Sequence, residues 1–245
     1  MDFAIILAVT VVGCFALRNP LKALPVAFYA AAIVIDVVYV YGVFFGLPRA
    51  IWSPLFVLIQ KCELSLALFV VVMFIGCLNR GGRAYHWLKP VRSEPSIVAW
   101  FLSLGHMAVY LESYVPRLLG GGEIGGNVIG AFVLAVVLLV LLVVLGVTSF
   151  AFVKRQMSTA SWKKVQKLAY PFFGLVYVHL LLMLLPSALH GGLAAQASVA
   201  VYSVVFVGYA LCRMGRALVD RRAEDAVSAA NDPTPALSDE PEMVS

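Results

Sequence analysis

WKKVQKLAYPFFGLVYVHLL, Trp162 to Leu181, opens as a basic amphipathic lead-in and turns into a run as apolar as lipid, with His179 set inside it. Runs of the same kind occupy nearly everything from Asp2 to Arg216. The chain is 62% hydrophobic and 13% charged, far from the roughly 45–50% apolar and about 25% charged residues of a soluble domain. No stretch is left that could build a water-facing core. The sequence therefore reads as an all-α, polytopic membrane helix bundle whose function sits within the membrane.

A bilayer core takes about 20 apolar residues per helix. On that scale seven spans are expected, over residues 2–17, 23–47, 53–78, 95–115, 127–153, 167–186 and 195–215. No basic residue precedes the first run and no small-x-small site follows it, so it reads as a span rather than a signal peptide. The 18 Lys and Arg residues set the orientation. Arg18 and Lys22, then Arg80, Arg83, Lys89 and Arg92, then Lys154, Arg155, Lys163, Lys164 and Lys167, then Arg213, Arg216, Arg221 and Arg222 all fall in alternate loops. The intervening loops hold only Arg49 and Arg117. By the positive-inside rule the N-terminus is outside and the C-terminus cytoplasmic, in a bacterial cell membrane. Basic residues spaced this way answer to membrane lipids, not to nucleic acid.

Cys14, Cys62, Cys77 and Cys212 all stand in apolar runs without CxxC or CxxCH spacing, and read as small apolar residues. LLGGGEIGGN, Leu118 to Asn127, is a glycine-rich external connector rather than a phosphate loop, since no strand precedes it and no GK[ST] follows. From residue 217 to 245 a cytoplasmic tail is expected, disordered because Glu224, Asp225, Asp232, Asp239, Glu240 and Glu242 and three prolines leave little to bury.

Charge within a bilayer costs at least about 2.5 kcal/mol, so ionisable residues in spans are functional candidates. Asp36 lies mid-span, with Lys61 and Glu63 about 8 to 10 residues into the next span. An Asp36–Lys61 ion pair is the simpler expectation and a proton or quinone path its alternative, while Glu112 can reach the interface. His106 and His179 fall about 17 and 18 Å along two parallel spans from the same face. Two neutral imidazoles at one depth suit a bis-histidine haem, with Gly105 and Gly174 leaving room beside them. The simpler account is a hydrogen bond from each histidine to a neighbouring helix. Zinc fits less well, because no Cys, Asp or Glu shares the level. His86, in RGGRAYHWLKP, and His190, in LHGG, read as loop residues.

LGHMAVYLESY, VTSFAFVKRQM and WKKVQKLAYPFFGLVYVHLL together resemble the ferric-reductase-like transmembrane domain superfamily, over roughly residues 53–213. That superfamily includes the haem-binding membrane subunit of the methionine sulfoxide reductase system and the membrane half of the NADPH oxidases. The resemblance implies an organisation of N-terminal helices (1–52), a haem-binding domain (53–216) and the tail (217–245). It implies b-type haem and transmembrane electron transfer, with His106 and His179 as the outer axial pair. An inner pair would stand at Arg92 and Gln166, neither of which is a credible axial ligand, so one haem b is expected, nearer the outer face. Arg117 would then neutralise its propionates.

The function so implied is a cytochrome b-like electron-transfer subunit rather than a complete enzyme. Its donor would be a quinol or a cytoplasmic reductase, with a quinone as a further candidate cofactor. Its acceptor would be an extracytoplasmic flavoprotein, cytochrome or reductase. The competing reading is a haem-free membrane transporter or assembly protein with structural histidines, although no internal repeat of the transporter kind is seen.

Overall fold

The computed structural model describes residues 2–120 and 125–230. All regular secondary structure among them is helical, with no strand. Helix α1 (Asp2–Ala16) and the short α2 (Arg18–Ala23) lead into α3 (Pro25–Phe45). Next, α4 (Arg49–Leu55) runs into a π-helical turn over Phe56–Gln60, and α5 (Glu63–Ile75) follows. The surface helix α6 (Arg83–Leu88) precedes α7 (Ser93–Leu119) and α8 (Gly126–Val147). Two short helices, α9 (Ala151–Gln156) and α10 (Thr159–Gln166), join α8 to α11 (Ala169–Leu189), and α12 (Leu193–Ala230) ends the described chain.

Four segments are long and apolar enough to cross a membrane: Pro25–Phe45, Gly126–Val147, Thr159–Leu189 and Leu193–Ala226. Arg49–Gln60 and Glu63–Ile75, bent by 41° at their junction, would make a fifth if they act as one span. These helices make the chain a membrane protein. Helix α1 is apolar but only 15 residues long. Helix α7 has the length, at 27 residues, but its serines, His106 and Glu112 dilute its hydropathy.

Helix α5 is the axle of the bundle. It is apolar all round, as a helix enclosed by others must be, and nine of its 13 residues are buried. On one side it meets α1, α11 and α12 through Phe3, Leu66, Val70, Phe173, Tyr202 and Phe206. On another, α7 packs against α3 and the π turn through Ala32, Tyr39, Ile59, Leu102 and Val109. The helices ahead of residue 53 are thus packed directly onto the rest. Lipid-grade side chains such as Val133, Val137 and Val140 on α8 face outward.

Several expectations are corrected. The run 53–78 is not one helix: it breaks at Lys61 and Cys62, where Cys62 takes a left-handed backbone (φ 57°). The run 127–153 ends as a helix at Val147, since Thr148 and Ser149 turn their hydroxyls back onto the Val144 and Leu145 carbonyls and α9 starts anew. Residues 217–230 continue α12 rather than forming a disordered tail. Arg216 and Asp220, one turn apart, are joined at 2.8 Å, with Arg80 reaching the same carboxylate at 2.7 Å. Such pairs support a helix that buries little. The remainder of the tail, 231–245, and residues 121–124 of the glycine-rich connector lie outside the described residues.

Candidate cofactor site

His106 is the middle residue of the 27-residue α7, and His179 the middle residue of the 21-residue α11. Both imidazoles line a single cavity of about 390 Å³, within the roughly 300–1,000 Å³ of small-molecule and cofactor sites. Its walls are mostly apolar, from Leu66, Phe69, Leu138, Phe172 and Val176, and it reaches toward the α5 N-terminus at Lys61 and Glu63.

The helix break builds half of this site. In the π turn Lys61 N–H bonds back to Phe56 O at 3.0 Å, and Cys62 N–H to Ile59 O at 2.9 Å. Since α5 starts afresh at Glu63, the Gln60 carbonyl ends a helix and needs a donor from elsewhere. His106 Nδ1 lies 2.7 Å from it. On the other wall His179 Nδ1 lies 3.1 Å from Ala131 O on α8. A carbonyl oxygen only accepts, so in each neutral ring the proton sits on Nδ1 and the Nε2 lone pair is left free. A hydrogen bond at one ring nitrogen is how metal-binding histidines are oriented for ligation through the other.

Further contacts hold α7 in place. Ser65 and Ser103 both donate to Ala99 O, at 2.9 and 2.8 Å. Gly105 N–H donates to the Asp36 carboxylate at 2.9 Å. A Cβ on Gly105 would lie 2.7 Å from that carboxylate, so this glycine admits α3 rather than a macrocycle. Around Gly174 the space is open. Tyr110 packs tilted on His106, with ring centroids 4.7 Å apart, and Tyr114 stacks on Tyr110 at 6.0 Å.

The charged residues are arranged differently from expectation. Asp36 does not pair with Lys61, because α3 carries it to α7. Lys61 instead lies 3.9 Å from Asp2 and 4.0 Å from Glu63. Arg117 does not line the cavity; its guanidinium sits over the Tyr114 ring at 5.9 Å. Lys61 is the cation on the cavity wall, a placement signalled only by the polar cluster Gln60, Lys61 and Glu63 inside an apolar run. Gln60 Oε1 and Glu63 Oε2 are buried without a hydrogen-bond donor among the described residues. Glu112 is exposed, as are His86 and His190, and none of the three reaches the cavity.

Neither Arg92 nor Gln166 lines the histidine cavity. The Gln166 side-chain amide donates to the Thr148 hydroxyl at 3.0 Å, while Trp162 Nε1–H donates to Thr148 O at 3.0 Å. These bonds fasten α10 to the end of α8. Among the described residues no three His, Cys, Asp or Glu side chains gather as a metal site.

An uncharacterized protein of Treponema pallidum (strain Nichols) is similar to this chain, 34% identical over 228 residues that cover 92% of this chain and 63% of that protein. The chain thus spans less than two thirds of that relative's length. No family model matches the sequence. No solved structure matches it.

Proposed function

We propose that the chain is a b-type cytochrome-like electron-transfer subunit of the cell membrane, with one haem held between His106 and His179. The observation that carries this reading is the shared hydrogen-bond pattern: both histidines hold Nδ1 against a backbone carbonyl, which leaves Nε2 for another partner, and both line one apolar cavity. When bound, haem would supply reversible one-electron transfer. The chain's own part is to fix both rings and exclude water with aromatic and aliphatic walls, and Lys61 on the cavity wall would be the cation available to a propionate.

The reading includes seven membrane passages, with α1, α7 and the bent α4–α5 pair counted as spans, the N-terminus outside and the C-terminus cytoplasmic. Reducing equivalents come from a quinol or a cytoplasmic reductase and leave to an extracytoplasmic flavoprotein, cytochrome or reductase. A quinol has a specific observation in its favour. Gln60 Oε1 and Glu63 Oε2, on residues of the cavity wall, lack donors among the described residues, and quinol hydroxyls donate.

The test is a reduced-minus-oxidised absorbance spectrum, with a haem assay, on detergent-purified protein expressed under ample haem supply. One haem per chain with b-type bands is expected. The bands should vanish in His106→Ala and His179→Ala and persist in His86→Ala and His190→Ala. Absence of b-type bands from the wild-type protein overturns the proposal in favour of a haem-free membrane protein with structural histidines.

A further inference from the structure

At the opposite end of the bundle from Lys61, a second cavity of about 210 Å³ opens where α5 stops, α7 and α11 begin and α12 passes. Its walls bring together Arg80, Lys89, Arg92 and Arg213 with Tyr170 and Tyr209, and no carboxylate among the described residues lines it. Asp220 answers Arg80 from outside at 2.7 Å, but it also holds Arg216 at 2.8 Å. Arg213 donates to the Tyr170 hydroxyl at 2.8 Å, and Lys89 Nζ lies 5.0 Å over the Tyr85 ring. Neither contact carries negative charge. Lys89, Arg92 and Arg213 therefore converge on one concavity with no ion-pair partner among the described residues.

Three like charges held around one hollow repel one another. The arrangement becomes favourable when an anion of more than one acceptor oxygen enters it. Arginine forks match the oxygens of phosphate, and tyrosine hydroxyls add donors. We infer that this cavity binds a phosphate group, supplied either by the headgroup of an anionic phospholipid or by a phosphate in solution. Basic pockets between helices at a membrane surface are suited to anionic headgroups. This inference stands on the cavity alone and does not depend on haem.

The experiment measures thermal unfolding of the full chain in detergent. Phosphatidylglycerol is titrated against phosphatidylcholine, and separately sodium phosphate against sodium chloride at matched ionic strength. Stabilisation by phosphatidylglycerol alone identifies a lipid headgroup, and stabilisation by phosphate identifies a soluble source. In either case Arg92→Gln and Lys89→Gln should each weaken apparent affinity about tenfold. Lys22→Gln, a basic site off the cavity, should leave it unchanged. The inference fails if neither anion stabilises the wild-type protein beyond its control, or if the effect survives undiminished in the Arg92→Gln, Lys89→Gln double variant. Should that variant not fold, the paired wild-type titrations decide alone.

Discussion

Asp36 on α3 accepts the main-chain N–H of Gly105 on α7 across 2.9 Å, so the residue next to His106 is held by a helix that contributes nothing else to the cavity. Gly→Ala within a helix ordinarily gains about 0.5–1 kcal/mol. Here the added methyl would stand 2.7 Å from the carboxylate. Gly105→Ala is expected to cost about 1–3 kcal/mol, as overpacking does, and to lower haem retention. Gly174→Ala, inside α11 and in open space, should show that ordinary gain of about 0.5–1 kcal/mol. Unfolding midpoints and haem content of the two variants check this.

Lys61 is the cation nearest Glu63, whose side chain is 7% exposed against 45% for Lys61. Removing one partner of an enclosed pair strands the other, though the exposure of Lys61 discounts the effect. Lys61→Met should destabilise by about 2 kcal/mol. Adding Glu63→Gln should recover part of that loss, which denaturant titration of both variants would measure.

Arg92 and Gln166 hold the positions where the resemblance places a second ligand pair, but they do not share a cavity. Arg92 lines the cationic hollow, and Gln166 is bonded to Thr148. The double variant Arg92→His, Gln166→His should therefore not gain a second haem. A stoichiometry approaching two per chain would show that these positions can face one macrocycle, and would sink this account of them.

The proposed orientation is open to labelling. In a background where Cys14, Cys62, Cys77 and Cys212 are replaced by Ala, Asn127→Cys should react with a membrane-impermeant maleimide on intact cells. Ser158→Cys should react only after permeabilisation. The reverse pattern would invert the topology.

The apolar runs and the two histidines were legible because hydropathy and a polar residue in a greasy span are local signals. The partner of Asp36 was not, since it depends on which helix α3 lies against. The extension of α12 was misread for another reason. Acidic residues and a lack of apolar ones point to disorder, yet VDRRAED also carries the Arg216–Asp220 kind of spacing that sustains a helix, and the prolines come only after Asp232. The break at Cys62 left only an indirect trace, Gln60, Lys61 and Glu63 interrupting an apolar run, which charge arithmetic alone assigned to ion pairing.

The π turn before that break holds one residue more than an α-helical turn would. Deleting a single residue from Phe56–Gln60 would leave hydropathy, span count and both histidines untouched, while rotating the Gln60 carbonyl by about 100° around the helix axis. His106 would then lose the acceptor that fixes its proton. The reading frame of this segment is in that sense a hidden part of the site: a variant could preserve every residue type named here and still present the wrong face of an imidazole to the cavity.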